Sequence, residues 1–290
     1  MSNTNAVTQS TNAHKRLKVT HIITGLNVGG AERALHTLLT GGLEGPFRNH
    51  VISLMDDGHY GPLLRDAGIG LTCLNMRPGG LGPGAIRHLR RVLHDAAPQI
   101  VQGWMYHGNI AASIGIAGRR NAPKIAWNVR SALDAAADHK AVTRGMIRLG
   151  AWLSQRPDAI IYNSARSRAQ HEDIGYAGVR ARVIPNGFDT ARWAANVGDR
   201  AQGRAMLGVD AGAVVLGFVG RHHAQKDVGN LLSALAPVMT ARPVLHVVIV
   251  GRGIDRQDPD LRLLLDALPA GRVHLLGLRD DVPALMRGFD

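Results

Sequence analysis

The stretch VVLGFVGRHHAQKD, residues 214–227, is an apolar strand pattern that runs directly into a Gly turn with two separated cations, Arg221 and Lys226. A helical pattern follows. In an open α/β sheet, ligands bind beyond the carboxyl ends of the strands, where a Gly turn and the next helix N-terminus face an anion. Arg offers a planar fork and Lys a mobile point charge, so the pair can hold a diphosphate from two sides. The segment predicts a diphosphate site; the alternative is two solvated cations on a surface loop.

The alternation of strands and helices continues along the rest of the chain. Strand patterns occur at 18–24, 50–54, 70–74, 100–103, 124–128, 159–163, 182–185, 214–220, 244–250 and 273–276. Helical patterns between them include 31–39, 85–95, 109–118, 227–240 and 261–268. This order predicts parallel sheets covered by helices. We therefore expect an α/β protein with two doubly wound, Rossmann-like domains, the second incomplete because it has three strands and one final helical start at 282–286.

Composition suggests where these domains begin and end. Residues 1–16 are mostly Ser, Thr, Asn and Ala and lack the apolar core of a signal peptide, which predicts a disordered leader. The first domain is expected at 17–193, a polar, Ala/Gly-rich linker at 194–203 and the second domain at 204–290. No apolar run approaches the ~20 residues of a membrane-spanning helix, and the single cysteine cannot form an internal disulfide. A cytoplasmic location is expected.

The formal net charge of +12 raises the question of an anionic partner. Only 12 residues are Phe, Trp or Tyr, and the basic residues are scattered, so a specific nucleic-acid partner is not expected. Two basic segments, 86–94 and 144–153, have amphipathic helical patterns that suit peripheral contact with an anionic membrane. The alternative is a core-packed helix with a solvated basic face.

Five motifs in a fixed order carry a family resemblance. They are Gly-Gly-Ala-Glu-Arg at 29–33, Ile-Pro-Asn-Gly-Phe-Asp at 184–189, Gly220-Arg221 with Lys226, Gly-Arg-Gly at 251–253, and Gly-Leu-Arg-Asp-Asp-Val-Pro at 277–283. Together they resemble family 4 of the retaining GT-B glycosyltransferases over essentially all of residues 17–290. The resemblance implies two Rossmann-like domains that face each other across a cleft, with the acceptor mainly on the first and a nucleotide-diphosphate sugar mainly on the second.

The resemblance also assigns roles to single residues. It makes Arg221 and Lys226 catalytic, since they would bind the diphosphate and stabilise it as it leaves. Gly29 and Gly30 would approach the donor, Gly251 and Gly253 would lie near the ribose or phosphate, and the backbone at Leu278 and Arg279 would frame the base. His107 is similar to the family histidine near the reacting sugar carbon, although a lone histidine is more often structural.

The family reaction is a hexosyl transfer with retention, in which the acceptor hydroxyl attacks from the face that the phosphate leaves and no protein nucleophile is required. The sequence shows no paired carboxylates of glycosidase type and no recognisable set of metal ligands. We therefore expect no cofactor and no metal, with Arg and Lys meeting the phosphate charge. UDP is the commoner donor nucleotide in such relatives, GDP and ADP stay open, and the acceptor would be a carbohydrate or lipid-linked glycan in polysaccharide or glycolipid synthesis.

Three departures from the family pattern matter. His222 and Asp227 stand where the family has an apolar residue and a Gly; Asp227 is expected instead to cap the next helix. The family also carries two glutamates with seven residues between them, just after the position of the last residue, Asp290. The sequence thus resembles a C-terminally truncated enzyme, and two alternatives stay open: an inactive remnant or binding subunit, and a basic nucleic-acid or membrane-surface protein.

Overall fold

The computed structural model describes residues 16–43, 45–76, 82–133, 141–193 and 197–290. The chain forms two compact units that divide between Gly187 and Phe188. Both are parallel sheets covered by helices, so the expected α/β class is confirmed. The leader expected at 1–16 lies outside the described residues except for Arg16.

The first unit alternates strands and helices along its whole length. Its elements are β1 (Leu17–Ile23), α1 (Gly30–Thr40), β2 (Phe47–Ser53), α2 (Tyr60–Asp66), β3 (Gly70–Cys73), α3 (Pro83–Ala96), β4 (Ile100–Trp104), α4 (Met105–Ile116), β5 (Lys124–Val129), α5 (Ala141–Leu153), β6 (Ala159–Tyr162), α6 (Ala165–Asp173) and β7 (Ala181–Val183). Each of the seven predicted strands is present. Helices α2 and α6 were not predicted, because they are short and have few apolar residues.

The order of the strands fixes where this unit can bind a ligand. All seven pair in parallel in the order β3-β2-β1-β4-β5-β6-β7. From β1 to β3 successive strands are added toward one edge of the sheet, and from β4 to β7 toward the other edge. The switch point between β1 and β4 opens a crevice at the carboxyl ends of the strands. Helices α1 and α4 begin beside it. Gly108 holds α4 close, because a Cβ there would overlap the carbonyl oxygen of Ile22 on β1.

The second unit is a smaller sheet with helices on both faces. Its elements are α7 (Thr190–Trp193), α8 (Val197–Leu207), β8 (Val214–Val219), a 3-10 turn (Ala224–Lys226), α9 (Val228–Ala241), β9 (Leu245–Val250), α10 (Pro259–Asp266), β10 (Val273–Gly277) and α11 (Val282–Met286). The three strands are parallel in the order β10-β9-β8. Apolar residues of α9 and α10 pack on one face, and those of α8 and α11 on the other.

Helix α8 corrects the expected linker at 194–203, since the chain is helical from Val197 onward. Small residues suggested a flexible segment, but here they allow close packing. A Cβ on Gly203 would clash with the backbone of Gly288. Arg204 is 5% exposed, and its guanidinium donates to the carbonyls of Asp210 and Ala213 and pairs with Asp290 at 2.6 Å. The segment is part of the second unit's packing.

A buried histidine lies in the middle of the first sheet. Trp104 donates its indole N–H to Nδ1 of His21 at 3.3 Å, and His21 Nε2 lies 3.3 Å from Asn49 Oδ1. Since Nδ1 accepts, the hydrogen of the neutral ring must be on Nε2, where it is donated to Asn49. Protonation would place a hydrogen on Nδ1, where it would face the indole N–H of Trp104, so two donors would oppose each other. Burial accordingly lowers the pKa of His21 from 6.5 to about 4.

We expect this histidine to make folding sensitive to acid. Between pH 6.5 and 4 the unfolded chain protonates His21 while the folded chain does not, so stability is complete above 6.5 and falls toward pH 4. At about 1.4 kcal/mol per pKa unit, the loss is roughly 3 kcal/mol. Urea unfolding of His21→Gln at several pH values should show a shallower loss than the wild type. The exposed His88→Gln is the control, and an unchanged slope in His21→Gln would contradict the assignment.

Candidate active site

The carboxyl ends of β8, β9 and β10 meet in three short Gly-containing loops. Gly251 has φ +154°, and a Cβ on it would overlap the carbonyl oxygen of Gly220. Its N–H donates to the carbonyl of Gly277 at 2.7 Å, while Gly220 N–H donates to the carbonyl of Val250 at 2.9 Å. A side chain at position 251 would separate these loops, so glycine is required there.

A groove opens along two of the loops. It has a volume of about 460 Å³ and is lined by residues 251–255 and 275–278. Gly251, Gly253 and Leu278 therefore line the same groove. Leu278 is 57% exposed, and Gly253 has φ +73°. The groove is thus lined by glycine backbone, by apolar residues that include Leu278, and by the charged residues Arg252 and Asp255.

Arg221 and Lys226 lie on the loop beside this groove. Both side chains are exposed. The stem of Lys226 lies over Gly220, with Cδ 3.5 Å from the point where a Cβ would stand, and the backbone N–H of Arg221 is 3.2 Å from the corresponding point on Gly251. Among the described residues, neither cation has an ion-pair or hydrogen-bond partner. Two uncompensated charges therefore face solvent at the end of β8.

The residues that depart from the family pattern have structural contacts. The imidazole Nδ1 of His222 lies 2.9 Å from Asp258 Oδ2, and the backbone N–H of His222 donates to the carbonyl of Arg252 at 2.8 Å. Asp258 also caps α10, because its Oδ1 accepts from Asp260 and Leu261. His222 therefore ties the cation loop to two neighbouring segments.

Asp227 does not cap helix α9 through its side chain, contrary to our expectation. Its backbone is left-handed, with φ +49° and ψ +49°, as it closes the 3-10 turn at Lys226. Glycine adopts this conformation easily, and Asp is one of the few other residues that tolerate it. The position therefore serves the backbone turn and not a cap.

Arg279 does not line the groove, and its charge is paired with a carboxylate. Its guanidinium forms a forked pair with Asp281, with Nε–Oδ1 2.8 Å and Nη2–Oδ2 2.6 Å. This carboxylate already occupies the fork. Any role of Arg279 toward a ligand then falls to its backbone, as the family resemblance implied.

In the first unit, the Gly-Gly turn precedes α1 at the switch point. Gly29 is extended and stands at the helix N-cap. A Cβ there would overlap the carboxylate of Glu32, whose pKa is raised by burial. A Cβ on Gly30 would meet no atom within 4 Å. Gly30 is thus open to a ligand, whereas the side chain of Glu32 covers Gly29.

His107 lies in the first turn of α4, on the other side of the switch point from α1. Its side chain is half-buried, and burial lowers its pKa. The imidazole is therefore neutral at pH 7, and within the described part of the chain it makes no hydrogen bond. It can offer one donor or acceptor to a ligand but no charge.

Sequence reasoning missed a third cation at a strand end. Arg130 directly follows β5, where its guanidinium donates to Asn128 Oδ1 at 3.3 Å and to Asn186 Oδ1. It also lies over the ring of Trp104, 5.6 Å from the centroid. The available signal was its position after a buried strand, the same pattern that singled out Arg221.

The described ranges contain no cluster of three or more His, Cys, Asp or Glu placed to hold a metal ion. They also contain no helix that is both long and apolar enough to cross a membrane.

Solved structures share this architecture. HepE of Anabaena in complex with UDP-glucose is 23% identical, with a TM-score of 0.78 over 95% of this chain and 72% of that one. WaaG, a glycosyltransferase of lipopolysaccharide biosynthesis, is 16% identical, with a TM-score of 0.66 over 94% and 73%. The fold is that of the GT-B glycosyltransferases.

Family models identify the chain more closely. Glycosyltransferase Family 4 matches residues 28–192, more than half of the chain, and Glycosyl transferases group 1 matches residues 213–290. The chain belongs to glycosyltransferase family 4.

Curated relatives match over parts of their length. The D-inositol 3-phosphate glycosyltransferase of Rhodococcus erythropolis is 36% identical over 97 residues, 32% of this chain and 22% of the relative. The GDP-mannose:cellobiosyl-diphosphopolyprenol alpha-mannosyltransferase of Xanthomonas campestris is 27% identical over 210 residues, 60% and 52% respectively. The chain spans between 15% and 52% of the length of the curated relatives it matches.

Replacement of Gly251 should disrupt the groove. Gly251→Ala forces a Cβ against the Gly220 carbonyl at a positive φ, so we expect a loss of about 1–3 kcal/mol in unfolding free energy. Gly212→Ala, in the same unit, meets no atom within 4 Å and should change stability by under about 0.5 kcal/mol. Thermal and urea unfolding compare the two. Equal stabilities of the two variants would mean that the close approach of Gly220 to Gly251 does not require glycine at position 251.

Proposed function

We propose that this protein transfers a sugar from a nucleotide-diphosphate sugar to a hydroxyl acceptor, with retention of anomeric configuration, in polysaccharide or glycolipid synthesis. The observation that carries the proposal is the unpaired couple Arg221 and Lys226 beside the groove of the second unit. A hexosyl donor leaves a diphosphate that gains negative charge as the bond to the sugar breaks. Cations fixed in advance next to that charge lower the barrier, and removal of one such group costs on the order of 10²–10³ in rate.

The groove suits the nucleoside of the donor. Bare backbone at Gly251 and Gly253 allows close approach of a ribose or phosphate, and Leu278 offers an apolar surface to a base. We propose UDP as the nucleotide, which the HepE complexes with UDP and UDP-glucose support. The Xanthomonas relative is named for GDP-mannose, so guanosine donors are the direct comparison in any binding assay.

The first unit would receive the acceptor. We propose that neutral His107 hydrogen-bonds the sugar near its reacting carbon and that Gly29 and Gly30 face the donor, with Glu32 moving off Gly29. The relatives from Rhodococcus and Xanthomonas are named for a phosphorylated inositol and a diphosphate-linked glycan. A carbohydrate or lipid-linked acceptor that carries phosphate fits these names. Because Arg221 and Lys226 meet the donor charge, turnover would not require a divalent metal.

Donor hydrolysis tests the proposal. Arg221→Ala and Lys226→Ala should each lower UDP-sugar turnover by on the order of 10²–10³, followed as UDP release with UDP-glucose as probe and excess EDTA present. Arg262→Ala is the matched control, because this 70% exposed arginine lies in the same unit and pairs weakly with Asp266 at 3.8 Å. Its rate should equal that of the wild type.

Other outcomes would point elsewhere. UDP binding without turnover in the wild type would favour a nucleotide-binding subunit without catalysis, and absence of UDP and GDP binding would contradict the proposed function. Where turnover occurs, proton NMR of the released or transferred sugar reports its anomeric configuration. Inversion would overturn the retaining mechanism.

Membrane contact is a separate part of the proposal, and it rests on α5. Helix α3 packs its apolar face into the core through Leu89 and Leu93. Helix α5 buries Ile147 and Leu153 but also exposes apolar residues, with Trp152 at 71% and Val142 at 58%. An exposed Trp on a basic helix suits the interface of an anionic bilayer. We propose that α5 rests on such a surface, where a lipid-linked acceptor would be found.

Vesicle sedimentation tests this contact. Binding of the full chain to phosphatidylglycerol vesicles should weaken about three- to tenfold in Trp152→Ala and fall at high salt. Leu263→Ala removes an 80% exposed apolar residue from the second unit and should bind as the wild type does. Equal effects of the two substitutions would argue against α5 as the contact surface.

A further inference from the structure

Arg130 joins the ends of several strands of the first unit. It follows β5, and its guanidinium reaches Asn128 on β5 and Asn186 beyond β7. Its backbone N–H donates to Met105 Sδ at 3.4 Å, and its side chain lies over Trp104 at the end of β4. The guanidinium is therefore held at the carboxyl edge of the sheet, where parallel α/β sheets bind ligands.

No acidic side chain of the described residues pairs with this cation. Arg130 is half-buried, and burial lowers its pKa, yet a guanidinium stays protonated at any ordinary pH. Its partners in the described structure are two amide oxygens and an aromatic face, all without net charge. Buried charges are normally paired because their desolvation is costly. Arg204 follows that rule, since it pairs with Asp290.

The guanidinium also has unused hydrogen-bonding capacity. Arginine carries five N–H groups, and the two bonds to Asn128 and Asn186 use one on each terminal nitrogen. The amides fix the plane of the fork while the remaining N–H groups stay available. A planar fork that is fixed in position favours phosphate, which accepts two parallel hydrogen bonds.

We infer that Arg130 binds a phosphate group of a substrate. The inference deepens the proposed function and rests on it for the identity of that substrate. The phosphate would come either from the acceptor, which the proposed function assigns to the first unit, or from the donor diphosphate. In either case the anion supplies the negative charge that the described partners of Arg130 lack.

A purely structural role for Arg130 predicts something different. If the residue only ties β7 to β5, Arg130→Gln and Asn186→Ala should both lower the melting temperature and leave anion affinity unchanged. A phosphate-binding role predicts a loss of affinity in Arg130→Gln, and a smaller loss in Arg130→Lys, which keeps the charge but not the fork. Arg90→Gln is the matched control, because Arg90, an exposed residue of α3, also donates to an uncharged partner, the carbonyl of Ile114.

The experiment is a calorimetric titration of the full chain with two probes. UDP is titrated alone, and inorganic phosphate is titrated with UDP saturating so that Arg221 and Lys226 are occupied. Arg130→Gln should weaken one probe at least about tenfold relative to Arg90→Gln. Loss of phosphate binding with unchanged UDP affinity assigns the site to the acceptor, and loss of UDP affinity assigns it to the donor.

The remaining outcomes overturn the inference. Wild-type protein that binds neither probe, or Arg130→Gln that binds both as Arg90→Gln does, removes the basis for a phosphate site. If Arg130→Gln does not fold, the titrations are repeated with Arg130→Lys. Unchanged affinity of that variant for both probes would also contradict a phosphate site at Arg130. Failure of the proposed function can be told apart from failure of this inference, because phosphate binding at Arg130 requires no turnover. If UDP does not bind, phosphate is titrated alone.

Discussion

The contact between the carbonyl of Gly220 and the α-carbon of Gly251 determines the carboxyl edge of the second unit's sheet. No side chain fits between these loops, and the N–H of Gly251 is fixed on Gly277. The three strand ends are thereby drawn together, and the loop that carries Arg221 and Lys226 is placed beside the groove. His222 then holds the same loop to Asp258 and α10. Rigid backbone contacts thus position the loop from which these two exposed cations project.

A similar contact organises the first unit. Gly108 lets α4 lie directly on β1, and Gly103 lets the backbone of Asn109 approach β4. The first turn of α4, with His107, is therefore fixed at the switch point. Asn109 Oδ1 in turn accepts from the N–H of Asn128 at 3.2 Å, which links α4 to β5 just before Arg130. Small residues at the packing interface, and not the polar residues themselves, decide where the polar groups of this edge lie.

The sequence allowed prediction of local features and failed for those that depend on distant contacts. The strands were predictable because each is a short run of β-branched and apolar residues bounded by turns. Helix α8 was hidden by its Ala/Gly composition, because its stability comes from Gly203 against Gly288 and from Arg204 paired with Asp290. The meeting of Arg130 with Asn186, 56 residues apart, likewise has no local signature. The motif that contains Asn186 was recognisable, but its partner was not.

The net charge of +12 says little about which cations bind ligands, since 29 of the 34 basic residues are arginines spread over the chain. The basic residues differ in whether a carboxylate pairs with their charge. Arg279 belongs to a family motif, yet Asp281 occupies its fork, so the motif there concerns the backbone. Arg204 is more buried than Arg130 but is neutralised by Asp290. Among the described residues, Arg221 and Lys226 have no charged partner and Arg130 has only uncharged ones, and all three lie at the ends of parallel strands. In an arginine-rich chain, an uncompensated charge at a strand end therefore separates candidate ligand-binding cations from the rest better than basicity does, and this criterion includes a cation that the motifs left out.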